Sequence, residues 1–121
     1  LFSLGCGRVF EGTYEQMFKS LNKLKNLPGD TKIYCGHEYT HKNLEFCLKF
    51  NPNNSFLKKK KNAIKLTLKN KKPTIPSTIE DEIKTNIFLR FNDLDVKKAL
   101  NLKNASDIEI FTKLRDLKDN F

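Results

Sequence analysis

The 121-residue chain is short of several residue types, and each shortage excludes something. Three cysteines, Cys6, Cys35 and Cys47, are an odd number with no C-x-x-C pair. A disulfide framework is therefore not expected and no Cys sits in zinc-finger spacing, and the pattern fits a reducing, cytoplasmic setting with small buried thiols. No apolar run approaches the roughly 20 residues that a membrane span needs. The opening Leu1-Phe2-Ser3-Leu4-Gly5 is too short, and lacks the basic leader, for a signal peptide; a start at Leu rather than Met fits a piece of something longer. There is no G-x-x-x-x-G-K-[ST] phosphate loop. Arginine is present only at positions 8, 90 and 115, too few for a protein that reads nucleic acid through bidentate contacts.

What is abundant is lysine. The formal net charge is +9, and residues 46–79 hold nine lysines and no acid, while the remainder balances at 14 basic against 14 acidic side chains. A run such as Lys58 to Lys61 reads as a solvated helix face, and polyanion binding by this stretch is a third-ranked functional reading.

Hydrophobic spacing outlines the elements. Leu1 to Leu4 reads as a strand entering the Gly5-Cys6-Gly7 turn. Thr13 with Gln16 forms a capping box for a helix whose stripe is Tyr14, Met17, Phe18, Leu21 and Leu24. Lys32 to Cys35 reads as a strand stopped by Gly36. Thr40 caps a helix with Leu44, Cys47 and Leu48 on one face, and Asn51-Pro52-Asn53-Asn54 breaks it. Ser55 to about Lys69 is amphipathic but narrow on its apolar side. Pro73 and Pro76 mark an extended linker. Ser77 with Glu80 is a second capping box. Ser106 with Glu109 is a third, opening a helix whose buried stripe is Ile110, Leu114, Leu117 and Phe121. The organisation is α+β: strand–helix–strand over 1–37, then helices over 38–121. Two strands without a third leave an unpaired edge that invites association.

Few residues carry chemistry. Both histidines lie in Gly36-His37-Glu38-Tyr39-Thr40-His41. Gly36 and the preceding strand argue against a helix through His37, which instead sits at a strand end facing a cleft; His41 reads as an exposed first-turn residue. Gly5-Cys6-Gly7-Arg8 combines a tight turn with a cation able to grip a carboxylate. Arg115 and Lys118 are helical neighbours beside the apolar stripe, so both can reach one anion.

Five blocks then occur in order: Gly5-Cys6-Gly7-Arg8; Glu11-Gly12-Thr13; Tyr34-Cys35-Gly36-His37-Glu38-Tyr39-Thr40 with Asn43-Leu44 and Phe46; Pro73-Thr74-Ile75-Pro76-Ser77-Thr78; and Lys118-Asp119 with Phe121. Together they resemble the C-terminal half of glyoxalase II, the hydroxyacylglutathione hydrolases of the metallo-β-lactamase superfamily. The resemblance implies the end of an αββα sandwich over 1–37 and an all-helical glutathione-binding domain over 38–121. It implies hydrolysis of S-D-lactoylglutathione to D-lactate and glutathione by a metal-bound hydroxide at a two-metal site, usually zinc. It makes His37 a metal ligand and places Arg8, Phe10, Tyr39 and Asn43 on the glutathione pocket. Arg115 and Lys118 would hold the glycine carboxylate.

The family's H-x-H-x-D-H motif, a further His and a bridging Asp all precede the position of His37, and a chain with two histidines cannot supply them. The expectation is a fragment, inactive alone, whose partner is its own N-terminal half. It could be a truncated product, a proteolytic product or one half of a split gene. The alternative is a non-catalytic remnant that still grips glutathione or another small anion. No specific nucleic acid and no membrane are expected as partners.

Overall fold

Helix ends are where this sequence states its structure most openly. The computed structural model describes residues 1–121. Its first helix, α1 (Tyr14–Lys25), opens on the expected reciprocal box: the Gln16 amide donates to Thr13 Oγ1 at 3.1 Å and the Thr13 amide to Gln16 Oε1 at 2.9 Å. At the last helix, α6 (Asp107–Asp119), the Ser106 hydroxyl accepts from the Glu109 amide. Asn54 does the same for α3 (Ser55–Lys69), accepting from Phe56 and Leu57.

Two expected caps move. For α4 (Ile79–Thr85) the cap is Thr78, which accepts from the Asp81 amide, and Ser77 turns inward to a buried carboxylate instead. For α2 (Thr40–Phe50) the cap position is Tyr39, with no side-chain bond, because the Thr40 hydroxyl pairs with Thr74 at 2.6 Å. In both cases another side chain outcompetes the local amide for the hydroxyl: Glu82, five residues on, for Ser77 and the distant Thr74 for Thr40. A 3₁₀ turn at Ile87–Leu89 and the short α5 (Leu94–Ala99) complete the chain.

The strand expectations also change. Strand β1 covers only Lys32–Ile33, and its partner β2 (Ser77–Thr78) comes from the end of the presumed linker. They pair antiparallel, Lys32 opposite Thr78 and Ile33 opposite Ser77, so this edge is closed on one side within the chain. Leu1 to Leu4 is no strand. Phe2 and Gly5 exchange both backbone hydrogen bonds across a tight turn, and Leu4 takes a left-handed φ of 59°. The Leu4 amide, freed from any ladder, donates to Glu82 at 2.7 Å. The molecule is thus mostly helical with one small two-stranded sheet, an α+β arrangement. No helix is long and apolar enough to cross a membrane.

One continuous apolar core joins the first 37 residues to the rest: Leu4, Cys6 and Leu21 pack in the same cluster as Phe46, Phe88, Phe111 and Leu114. Phe46 stacks on Phe88 with ring centres 5.8 Å apart, and Phe88 meets Phe111 edge-on at 6.3 Å. Each such ring contributes about 1.5–3 kcal/mol through burial. The stripe of α6 is Ile110, Phe111 and Leu114, with Leu117 half-buried; Phe121, expected inside, is 53% exposed at the chain end. Phe111, which the expected stripe omits, is fully buried, while the Phe121 ring meets Phe46 edge-on at 5.3 Å.

Beside this core lies a polar knot. Glu82, with 0% exposure, accepts from Ser3 Oγ, Leu4 N, Ser77 Oγ, Lys60 Nζ and Asn86 Nδ2. Lys60 reaches both Glu82 and Asp81 at 2.6 Å, so one member of the lysine run is an interior ion-pair partner and not a solvated face. Burial disfavours its charge, but the Glu82 carboxylate and the bonds to Asp81 and Glu82 outweigh that and hold its pKa above the ordinary 10.5.

Candidate functional site

The Phe2–Gly5 turn fixes one wall of a cleft of about 490 Å³, and the helical part holds that turn from several sides. Asn43, on the first turn of α2, donates from Nδ2 to the Ser3 carbonyl at 3.1 Å. Asn86 donates to the carbonyls of Phe2 and Gly5, and the Cys47 thiol lies 3.3 Å from that of Leu4. Gly5 is required by this packing, since a Cβ there would fall 2.6 Å from Asn43 Nδ2. Its absent side chain serves the Asn43 contact, where the sequence suggested room for a ligand.

From this turn Cys6, Gly7, Arg8 and Phe10 run along the cleft. His37 and Tyr39 face them from the segment before α2, Asn43 follows, and Arg115 and Lys118 close the far end from the last turns of α6. All seven expected site residues therefore meet around one cavity. His37 sits in a bend beyond β1, which ends at Ile33, and not at a strand end. Its ring stacks on Tyr39 at 4.8 Å, and Phe2 lies against both. Phe10 also lines the cleft while remaining 86% exposed.

The cations differ in how free they are. Arg115, expected to extend beside Lys118, is only 2% exposed. Its Nη1 donates to the Cys6 carbonyl at 2.6 Å and the Gly7 carbonyl at 3.3 Å, while Nε and Nη2 lie 3.0 and 2.9 Å from Asp119 Oδ1. Every guanidinium nitrogen thus has a partner in the fold, so Arg115 braces the Cys6-Gly7 backbone. Arg8 approaches the same Asp119 oxygen at 3.8 Å with most of its side chain in solvent. Lys118 makes no ion pair; its Nζ lies 5.9 Å from the rings of Phe46 and Phe121. Burial, then the charges of Arg115 and Arg8, lower its pKa below 10.5. An ammonium so placed gains most when an anion arrives. Cys6, by contrast, is a poor nucleophile: burial raises its thiol pKa despite the neighbouring Arg115.

A family model described as hydroxyacylglutathione hydrolase C-terminus matches residues 38–121. The chain belongs to that family. It is also similar along its whole length to curated relatives named hydroxyacylglutathione hydrolase. That of Pelagibacter ubique is 52% identical over 121 residues, that of Mesorhizobium japonicum 48% and that of Brucella ovis 49%. The chain spans about half the length of these relatives, between 45% and 48%.

The metal that membership in the hydroxyacylglutathione hydrolase family implies finds one candidate ligand here, His37. His41 lies on α2 and faces Glu45 at 3.6 Å, and nowhere do three His, Cys, Asp or Glu side chains gather closely enough to share an ion. A tight site needs three or more protein ligands. These residues do not fit a metal centre of their own.

Four lining residues lie outside the expected set: Phe2, Cys6, Gly7 and Lys42. Phe2 and Cys6 were hidden because they read as strand and buried thiol. Lys42 also lines the cleft, three residues after Tyr39 and one before Asn43.

Proposed function

We propose that this chain is the thiol-carrier-binding portion of a hydroxyacylglutathione hydrolase, which converts S-D-lactoylglutathione and water into D-lactate and glutathione. The reading is carried by one observation: Arg8, Phe10, Tyr39, Asn43, Arg115 and Lys118, scattered over 111 residues, line one cleft together with His37. In this reading Lys118 and Arg8 take the glycine carboxylate of glutathione, and Arg115 holds the Cys6-Gly7 wall against which the peptide lies. Asn43 keeps an amide oxygen beside the peptide, and the Tyr39 and Phe10 rings flank its cysteinyl part. The thioester end then lies toward His37.

The chemistry at the carbonyl belongs to groups outside these residues. We assign His37 as one ligand of a two-metal zinc centre whose other ligands come from an N-terminal half, with 1–37 ending its sandwich and 38–121 forming the helical domain. The 121 residues alone are inactive in this view, and the complete enzyme works in the cytoplasm, in keeping with three free thiols.

The test is steady-state hydrolysis of S-D-lactoylglutathione by the longer protein carrying Lys118→Met. Binding energy lost equally from ground and transition states raises KM and spares kcat. A rise in KM of about tenfold with kcat within twofold is expected. An unchanged KM would remove the glycine-carboxylate assignment, and a longer protein without thioesterase activity would remove the function.

A further inference from the structure

The cleft holds more positive charge than a single carboxylate requires. Four cations line it: Arg8, Lys42, Arg115 and Lys118. One acid, Asp119, serves both arginines. Lys118 and Lys42 are left without any ion pair, and Lys42 makes no hydrogen bond either, standing exposed at the start of α2. Its placement is defined by its neighbours. Phe46, whose ring lies 5.9 Å from Lys118 Nζ, is one helical turn beyond Lys42 on the same face. Tyr39, stacked on His37, is three residues before it. Lys42 therefore stands between the imidazole end and the Lys118 end, about one 5.4 Å turn along α2 from the level of Phe46.

We infer that Lys42 is a specificity-determining residue, a second carboxylate anchor that receives the α-carboxylate of the γ-glutamyl arm while Lys118 receives that of glycine. The inference rests on the glutathione reading above and adds to it the class of ligand selected: a peptide thiol with carboxylates on both arms. Glutathione branches at its cysteine, so its sulfur points one way and its two acidic ends diverge. A ligand held at one end keeps the other arm free to swing; two separate ammonium anchors fix both arms, and with them the direction of the thioester. The ammonium beside the γ-glutamyl carboxylate stays in solvent, where Lys42 itself is exposed. The same geometry discriminates against thiol carriers with a single carboxylate, because one of the two charge-assisted bonds is then not made.

Calorimetric titration of the 121-residue chain with three peptides tests this. The peptides are glutathione, 4-aminobutanoyl-cysteinyl-glycine, which lacks only the γ-glutamyl carboxylate, and γ-glutamyl-cysteinyl-glycinamide, which lacks only the glycine one. Lys42→Met is expected to weaken glutathione about threefold to tenfold, as for a solvent-accessible charge-assisted bond. It should weaken the glycinamide peptide equally and leave the 4-aminobutanoyl peptide unchanged; Lys118→Met should show the reverse pattern. Equal loss for all three peptides would reduce Lys42 to a general field effect and overturn the inference. No loss with Lys42→Met while Lys118→Met still weakens glutathione would overturn it and leave the glutathione reading standing. If wild type binds none of the three, both fall together. Circular dichroism of each variant confirms that the fold is kept.

Discussion

Replacing Glu82 with Gln probes the joint between the N-terminal turn and the helices with almost no change of volume. On one carboxylate oxygen converge Ser3 Oγ at 3.2 Å, Ser77 Oγ at 2.6 Å and Lys60 Nζ at 2.6 Å; on the other, Leu4 N at 2.7 Å and Asn86 Nδ2 at 3.0 Å. An amide offers one acceptor and one donor, so in either orientation its NH₂ faces groups that donate. The less costly orientation aims it at the two serines, whose hydroxyls can rotate to accept, because the Leu4 amide cannot. Lys60 then loses one of two carboxylates in a buried site and keeps Asp81. Losing a charged hydrogen bond costs about 1.5–3 kcal/mol and the donor conflict about 1 more, so about 3 kcal/mol in all. For a chain of this length that lowers Tm by about 10 °C or more. Asp81→Asn is the matched control: its side chain is 46% exposed, water replaces the lost charge, and the cost stays within about 1 kcal/mol. Thermal and urea unfolding of both variants give the numbers, and hydrogen exchange at the Leu4 and Gly5 amides shows whether the turn loosens first. Glu82→Gln within 1 kcal/mol of wild type, or Asp81→Asn costing as much, would refute the reasoning.

Other expectations follow from the same geometry. Gly5→Ala places a methyl 2.6 Å from Asn43 Nδ2 and breaks its bond to Ser3, so it should cost about 1–3 kcal/mol in urea unfolding; a neutral effect would show that Asn43 yields freely. The contribution of Lys118 to glutathione affinity, taken as the difference between wild type and Lys118→Met, should fall as pH rises through the lowered pKa, before 10.5 is reached. The sign follows because only the protonated amine attracts a carboxylate; a contribution that persists unchanged to 10.5 would contradict the assigned desolvation. In native protein near neutral pH a thiol reagent should label the partly exposed Cys35 first. Cys47 should react only on unfolding, since complete burial pushes its pKa up to about 12; rapid labelling of Cys47 would place it elsewhere.

That the seven expected residues line one cavity was easier to read in the sequence than the fold around it. Local signals served wherever the deciding interaction was local, as with the Thr13–Gln16 box and the Ser106 cap. They failed where a distant partner decided. Thr40 answers to Thr74, and the Leu1–Leu4 turn to Glu82, Asn43 and Asn86, none of which spacing along the chain reveals. Lys60 lies three residues after Leu57 and four before Ile64, on the buried side of α3, so its inward turn was legible in the spacing while its partners Asp81 and Glu82 were not. The assembly of Arg8, His37, Tyr39 and Lys118 was legible because resemblance carries tertiary information that periodicity lacks. Lys42 lies between the blocks that carry the resemblance, and its place on the cleft follows only from the fold. The burial of Arg115 escaped notice because helical spacing puts it beside the stripe, and only the Cys6 and Gly7 carbonyls draw it inside.

The central claim is that the cleft between the N-terminal turn and α6 is a glutathione site. Its most direct test is calorimetric titration of glutathione into the 121-residue chain, beside Lys118→Met and, as a distant control, Lys65→Met on α3. The account predicts one glutathione per chain, affinity lowered about tenfold by Lys118→Met and unchanged by Lys65→Met. Absence of binding, or equal loss in both variants, would contradict it.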